Sequence, residues 1–228
     1  SFETKPGETT AFIGSTGSGK STLVKLMNRF YDVSRGSIEI NGVDVRKYNL
    51  ESLRTQIGYV AQKAHMFKGS IRSNICFGKP EASVEEMVHA ATVAQASNFI
   101  STREHGYEDE IAEDGTNISG GQKQRLSIAR VILKKPSLYI YDDSFSALDF
   151  KTDATLRKAL KPEVKNAIFF VVAQRISTIM DSDMIIVLDE GQIIGMGTHA
   201  QLLKDCSVYQ EIAHSQLTQK ELDDYERN

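Results

Sequence analysis

The sequence of 228 residues contains no tryptophan, two cysteines and four prolines. Two thiols, Cys76 and Cys206, are too few for a disulfide framework and too far apart for a compact metal-binding motif. A reducing, cytosolic setting is the simplest reading of that usage. Neither charge dominates: 27 Lys and Arg face 30 Asp and Glu, a net charge of −3. That balance removes the main electrostatic reason to expect a nucleic-acid partner. Long apolar runs are missing too. Ala167–Ala173 and Met184–Leu188 fall far short of the roughly 18 residues of a membrane helix and have the length of buried strands. Sixteen glycines are an ordinary share, so collagen-like and low-complexity chains are excluded. At roughly 150 residues per domain, one large domain, or one with a sub-domain, is expected.

What is present is alternation of strands and helices. Thr10–Ile13 reads as a short buried strand, and Leu23, Val24, Leu26, Met27 and Phe30 then recur at helical spacing. Ser37–Ile40 and Val43–Val45 flank Asn41-Gly42, the favoured two-residue hairpin turn. Ile57–Ala61 is a further apolar strand ending at Gln62. From about Lys63 to Arg130 the pattern turns helical, with Ser83 and Glu86 spaced as a capping box before Val84, Met87, Val88, Ala91 and Val93. The second half alternates again: strands at Leu138–Tyr141, Ile168–Ala173 and Met184–Leu188, helices near Lys151–Leu160 and Thr178. Such alternation implies an α/β fold with a parallel sheet covered on both faces. The polar segment 216–228 is expected to fray or face solvent.

The first strand ends in Gly14-Ser15-Thr16-Gly17-Ser18-Gly19-Lys20-Ser21, with Thr22 next. This satisfies G-x-x-x-x-G-K-[ST] in the strand–loop–helix setting that the motif needs. Glycines let backbone N–H groups turn inward around phosphate oxygens, and the helix start adds unpaired N–H groups and a positive dipole end. Lys20 supplies charge to the terminal phosphates; the Ser21 hydroxyl is a hard ligand for Mg²⁺. Leu138–Asp142 is an apolar strand ending in an acid, placed to hold the same Mg²⁺ through water. A nucleotide and Mg²⁺ are therefore the expected ligands, and kinases, GTPases, motors and transport ATPases all use such a loop.

Between these lies Asn117-Ile118-Ser119-Gly120-Gly121-Gln122-Lys123-Gln124-Arg125, a hydroxyl and bare amides at a helix start, hence a second anion cradle. This stretch closely resembles the signature of the ABC (ATP-binding cassette) ATPases. Gln62 resembles the family's Q-loop glutamine, and Ser146-Ala147-Leu148-Asp149 its D-loop. Arg29-Phe30-Tyr31, Gly36-Ser37-Ile38, Phe67–Ile75 and Glu113-Asp114-Gly115 are similar to the exporter branch.

The resemblance implies a RecA-like P-loop core with a mainly parallel sheet, an antiparallel β subdomain and a helical signature subdomain. Residues 1–62 and 130–228 would form the ATP-binding core with the β subdomain, and 63–129 the helical subdomain. It implies that Gln62 reaches Mg²⁺ beside Ser21 and Asp142. It also implies that Ser119, Gly120, Gly121 and Gln122 bind the nucleotide of a second ABC subunit in a head-to-tail dimer, with Asp149 crossing the interface. A transmembrane domain and the adenine-stacking aromatic would precede Ser1, placing the protein at the cytoplasmic face of a membrane.

Two positions depart from the family pattern. Asp143 stands where active cassettes carry a glutamate general base, one methylene longer, and Gln174 stands where they carry a switch histidine. The five histidines, His65, His89, His105, His199 and His214, lie elsewhere and read as solvated or structural. The residues that hold MgATP are intact while both departures fall on hydrolysis. The expectation is therefore the degenerate subunit of a heterodimeric exporter: it binds ATP, hydrolyses it weakly and completes a competent site on its partner. A slow but active homodimer and a regulatory nucleotide-binding module are the alternatives. A soluble ABC ATPase acting on DNA or ribosomes fits the acidic balance less well.

Overall fold

A computed structural model describes residues 1–217. Strand β1 (Thr9–Ile13) runs into the glycine loop and helix α1 (Lys20–Met27), the order read from the sequence. The hairpin follows as β2 (Glu39–Ile40) and β3 (Val43–Asp44), antiparallel. Its turn residues Asn41 and Gly42 have φ of 53° and 72°, the positive values that a two-residue type I′ turn requires at both positions. Helix α2 (Leu50–Gln56) was not anticipated. Only Leu53 of its residues is buried, so periodicity had little to report, but the Asn49 side chain accepts from the Glu51 and Ser52 amides and starts it. It delivers the chain to β4 (Ile57–Val60).

The middle stretch is helical, as expected, with one small addition. Strand β5 (Gly69–Ser70) pairs antiparallel with β6 (Glu110–Ile111), a clip too short to read from alternation. Around it lie α3 (Ile71–Ile75), α4 (Val84–Val93), α5 (Ser97–Ile100) and α6 (Gly120–Lys134). The Ser83–Glu86 capping box is formed in full at the start of α4, and α6 runs without a break through position 130.

The remainder is β7 (Leu138–Asp142), α7 (Phe150–Glu163), β8 (Ile168–Val172), α8 (Ile176–Ile179), β9 (Met184–Asp189), β10 (Gln192–Gly197), α9 (His199–Asp205) and α10 (Ser207–Gln216). The main sheet has the order β10-β9-β1-β8-β7-β4, parallel throughout except for β10. Strand β10 was not foreseen, because a register shift between Ile193 and Gly195 breaks its alternation.

Both faces of the sheet are covered. One carries Phe12, Ile140, Phe170, Val172 and Ile186 against Val24 and Met27 of α1. The other carries Ile13, Tyr139, Tyr141 and Val171 in the larger core that includes Met87 of α4 and Leu126, Ile128 and Ile132 of α6. Two-residue alternation along β7 then decides where the acid goes. Leu138 and Ile140 face α1, so Asp142 does as well. Gln216, the first residue of the polar C-terminal segment, is engaged rather than free. Its side chain accepts from the Ile176 amide at 2.8 Å and donates to the Gln174 carbonyl at 2.8 Å. Residues 218–228 of that segment lie outside the described residues.

Candidate nucleotide-binding site

In a parallel sheet the strands share one direction, so the loops after β1, β7, β8 and β4 all open at the carboxyl edge, where ligands of α/β sheets bind. The sequence supplies that edge with Gly14–Thr22, Asp142 and Asp143, Gln174, and Gln62. Gly14 must be glycine for two reasons. Its φ is +156°, and a Cβ there would sit 2.0 Å from the Leu188 carbonyl oxygen. Loop residues Thr16 and Gly17 are exposed, whereas Ser18 and Lys20 are buried. The Lys20 ammonium is wrapped by its own loop, donating to the carbonyls of Gly14 (2.8 Å) and Ser15 (2.7 Å) and to Ser18 Oγ (3.0 Å). Burial pushes its pKa below the ordinary lysine value, and the charges of Asp143 and Asp142 oppose that shift.

Asp142 is 3% exposed, and each of its oxygens has a partner. Ser21 Oγ donates to Oδ1 at 3.2 Å, and the Tyr59 hydroxyl donates to Oδ2 at 3.1 Å. The expected pair of Mg²⁺ donors is thus assembled across 121 residues of sequence. A hydroxyl and a carboxylate side by side are hard oxygen donors of the kind that hold Mg²⁺ together with substrate phosphates. Among the described residues there is no group of three or more His, Cys, Asp or Glu that could hold a metal ion.

Asp143 is placed by a strained turn. It has φ of 48°, a left-handed conformation that aspartate tolerates better than most residues. Its amide donates to the Val172 carbonyl, and the Ser146 amide and hydroxyl donate to its carbonyl. Its carboxylate is then shared: Gln62 Nε2 at 3.0 Å and Gln174 Nε2 at 2.9 Å both donate to Oδ2. Burial raises the Asp143 pKa above the usual carboxylate value; the Gln62 and Ser146 contacts pull it down, Asp142 adds to the rise, and Arg175 opposes it. Each of the two departures from the active pattern therefore touches the other.

The signature residues stand apart. Ser119 caps α6, accepting from the Gln122 amide at 3.3 Å while Gln122 Oε1 accepts from the Ser119 amide at 3.0 Å. Ser119 and Gly120 are exposed, and none of the side-chain bonds of Ser119 and Gln122 reaches the phosphate loop. A Cβ on Gly121 would lie 3.2 Å from the Ala147 carbonyl oxygen, so the signature packs on the Ser146–Asp149 loop of its own chain. Asp149 caps α7, accepting from the Thr152 amide at 2.9 Å. No histidine bonds to these groups among the described residues: His199 is buried against the Tyr209 hydroxyl, and His89 pairs with Glu163.

Sequence reasoning overlooked several supports. Tyr59 is a polar tip in an apolar strand, a weak signal. Gln124 of α6 is 1% exposed and donates to the Ala61 carbonyl at 3.1 Å, tying the signature helix to the residue before Gln62. Arg175 lies over the Phe150 ring at 4.8 Å, linking the Gln174 turn to the start of α7. Gly191 donates to the Ser18 carbonyl at 3.1 Å, bracing the phosphate loop from the β9–β10 turn.

The family described as ABC transporter matches residues 1–146. The chain belongs to the ABC transporter ATP-binding family. An uncharacterized ABC transporter ATP-binding protein of Mycobacterium tuberculosis is 46% identical over 219 residues, covering 95% of this chain and 37% of the relative. A fatty acid ABC transporter ATP-binding/permease protein of Mycobacterium bovis is 40% identical over 215 residues, covering 94% and 34%. The solved structure of a bacterial Atm1-family ABC exporter with ATP bound superposes with a TM-score of 0.89 at 37% identity, covering 92% of this ABC domain and 37% of that chain. The ABC domain thus spans little more than a third of the length of the relatives it matches. No helix among its described residues is long and apolar enough to cross a membrane.

Proposed function

We propose that this ABC domain is the ATP-binding, energy-coupling part of an exporter half-transporter, whose own site hydrolyses weakly and whose signature completes the competent site of a different second subunit. Residues 1–62 and 130–228 would hold the nucleotide and 63–129 would carry the signature. Gly14–Thr22 and Gln62 would bind MgATP, with Ser21, Asp142 and Gln62 toward the metal, which neutralises phosphate charge when bound. The observation that carries the reading is the Asp143 carboxylate, whose Oδ2 accepts from both Gln62 and Gln174. A general base must come within about 2.6–3.2 Å of the proton it takes. Asp143 is one methylene short, and two N–H donors already occupy the oxygen that would take the proton. Gln174 can donate a hydrogen bond but cannot carry the imidazolium charge.

A membrane partner is supported by the surface after Gln62. Phe67 and Phe77 are 46% and 57% exposed, stacked at 4.3 Å, with the Arg130 guanidinium over both rings. Asn74 holds this patch in shape through the Phe67 amide and carbonyl. Ordered exposed aromatics of this kind mark an interaction site, and the permease portion of the longer protein would cover it at the cytoplasmic face of the membrane.

The test is nucleotide retention in the full-length transporter with its partner subunit. ATP held at this site should remain unhydrolysed while the partner's site turns over; release of ADP from both sites at equal rates would overturn the reading. Ser119→Arg should lower hydrolysis by the complex on the order of 10²-fold, the size of effect seen when a preorganised donor at developing charge is lost. ATP affinity of this chain's own loop should stay within about twofold, because Ser119 makes no bond to that loop. Equilibrium nucleotide binding and phosphate release measure the two quantities separately.

A further inference from the structure

We propose that Tyr59 is a positioning residue for the metal-holding carboxylate, fixing the plane of Asp142 so that one oxygen stays on the Ser21 side of the site. The proposal rests on the assignment of Ser21 and Asp142 to Mg²⁺. A lone carboxylate at a strand end can rotate about its terminal torsion, which is broad and roughly two-fold. Here each oxygen is committed. Oδ1 meets Ser21 at 3.2 Å, and Oδ2 meets the Tyr59 hydroxyl at 3.1 Å. Without the phenol, the Ser21 contact alone would distinguish the two oxygens of Asp142.

Tyr59 is well built for this task. It sits on β4 with Tyr59 opposite Ile140 in register, so strand pairing carries its ring to the face on which Asp142 lies, two residues beyond Ile140. The ring is pinned edge-on by Phe30 at 5.7 Å, and Phe30 in turn lies under Arg54 at 6.0 Å. A carboxylate oxygen can only accept, so the phenol is the donor of this bond. Val60, Ala61 and Gln62 follow directly, so one short segment would both orient the metal carboxylate and deliver the Gln62 amide. Outer partners of metal ligands commonly matter in this way, their loss costing about 10–100-fold in metal affinity.

The experiment compares ATP affinity of the 228-residue chain in excess Mg²⁺ and in EDTA, with Mn²⁺ substituted for Mg²⁺ so that its electron paramagnetic resonance spectrum reports the ligand sphere. Tyr59→Phe should leave ATP affinity in EDTA within about twofold, lower the metal-dependent gain about 10-fold, and broaden the Mn²⁺ lines. Phe30→Leu, which keeps the hydroxyl but frees the ring at an exposed position, should lower the gain by a smaller factor in the same direction. Equal loss of ATP affinity with and without metal would make Tyr59 a merely structural residue and overturn the proposal. So would unchanged metal dependence and an unchanged spectrum in both variants. If the wild-type chain showed no metal-dependent gain, the assignment of Ser21 and Asp142 to Mg²⁺ would fall first, and the role of Tyr59 with it.

Discussion

Asp143→Glu combined with Gln174→His should raise ATP turnover of this site by about 10²–10⁴-fold, the range that a positioned general base contributes. Either change alone should recover less. Glutamate restores the missing methylene, but Gln174 Nε2 would still occupy the carboxylate, as it occupies Asp143 Oδ2 at 2.9 Å. Histidine alone removes that amide yet leaves the base short. Because both side chains act on one carboxylate, their effects should be coupled rather than additive in free energy. Steady-state phosphate release from wild type, both single variants and the double variant, at saturating MgATP and with dimerisation verified, gives the cycle. The gain should have a cost in stability. Residue 143 has φ of 48°, and left-handed backbone costs residues without a short polar side chain roughly 1–2 kcal/mol. Asp143→Glu should therefore lower the melting temperature, whereas Asp143→Asn should not. Wild-type turnover already at the level of the double variant would falsify the weak-site reading.

Lys20→Ala should reduce ATP affinity about 10²–10³-fold, the loss expected when one partner of a buried charge pair is truncated. Two effects combine. The triphosphate loses its nearest cation, and the loop loses the ammonium that now ties together Gly14, Ser15 and Ser18 Oγ. Lys20→Arg should not rescue binding. A planar guanidinium fork cannot replace a compact ammonium enclosed by three converging oxygens. Calorimetric titration of ATP into wild type and the two variants provides the measurement. Affinity within threefold of wild type for Lys20→Ala would remove the phosphate loop from the site.

The sequence made local geometry legible where a backbone requirement or a motif forces both residue type and spacing. Gly14–Ser21, Asp142 and the Ser119–Gln122 stretch all lie at the edges of elements whose periodicity is plain. The structure placed Ser21 against Asp142 and capped α6 with Ser119 as those patterns require. The Asn41-Gly42 hairpin and the Ser83–Glu86 box were readable for the same reason: each is a local backbone requirement met by a particular side chain. Other long-range polar contacts were not readable. Nothing in Ile57-Gly58-Tyr59-Val60 says that its phenol reaches a carboxylate 83 residues away. Nor could the sequence show that Gln62 and Gln174 converge on one oxygen, because that depends on the strand order that sets β7 between β4 and β8. Short elements escaped as well. Helix α2 buries one side chain, the β5–β6 clip has two residues on each strand, and the bulge in β10 spoils the period.

That bulge bears on how the molecule behaves in a crowd. Strand β10 is the outer edge of the six-stranded sheet, and it exposes Ile193, Ile194 and Met196. An apolar edge of this kind is a template for adding strands from neighbouring chains. The register shift between Ile193 and Gly195 interrupts the row of free N–H and C=O groups, so an incoming strand finds no continuous ladder to extend. Gly195 also lets α9 and its C-cap residue Cys206 pack closely on this strand, since a Cβ there would meet Cys206 Sγ at 2.8 Å and Leu202 at 3.1 Å. A bulky residue there would lift Leu202 and Cys206 from the sheet, uncover the strand and favour sheet-to-sheet aggregation at concentrations the native edge tolerates.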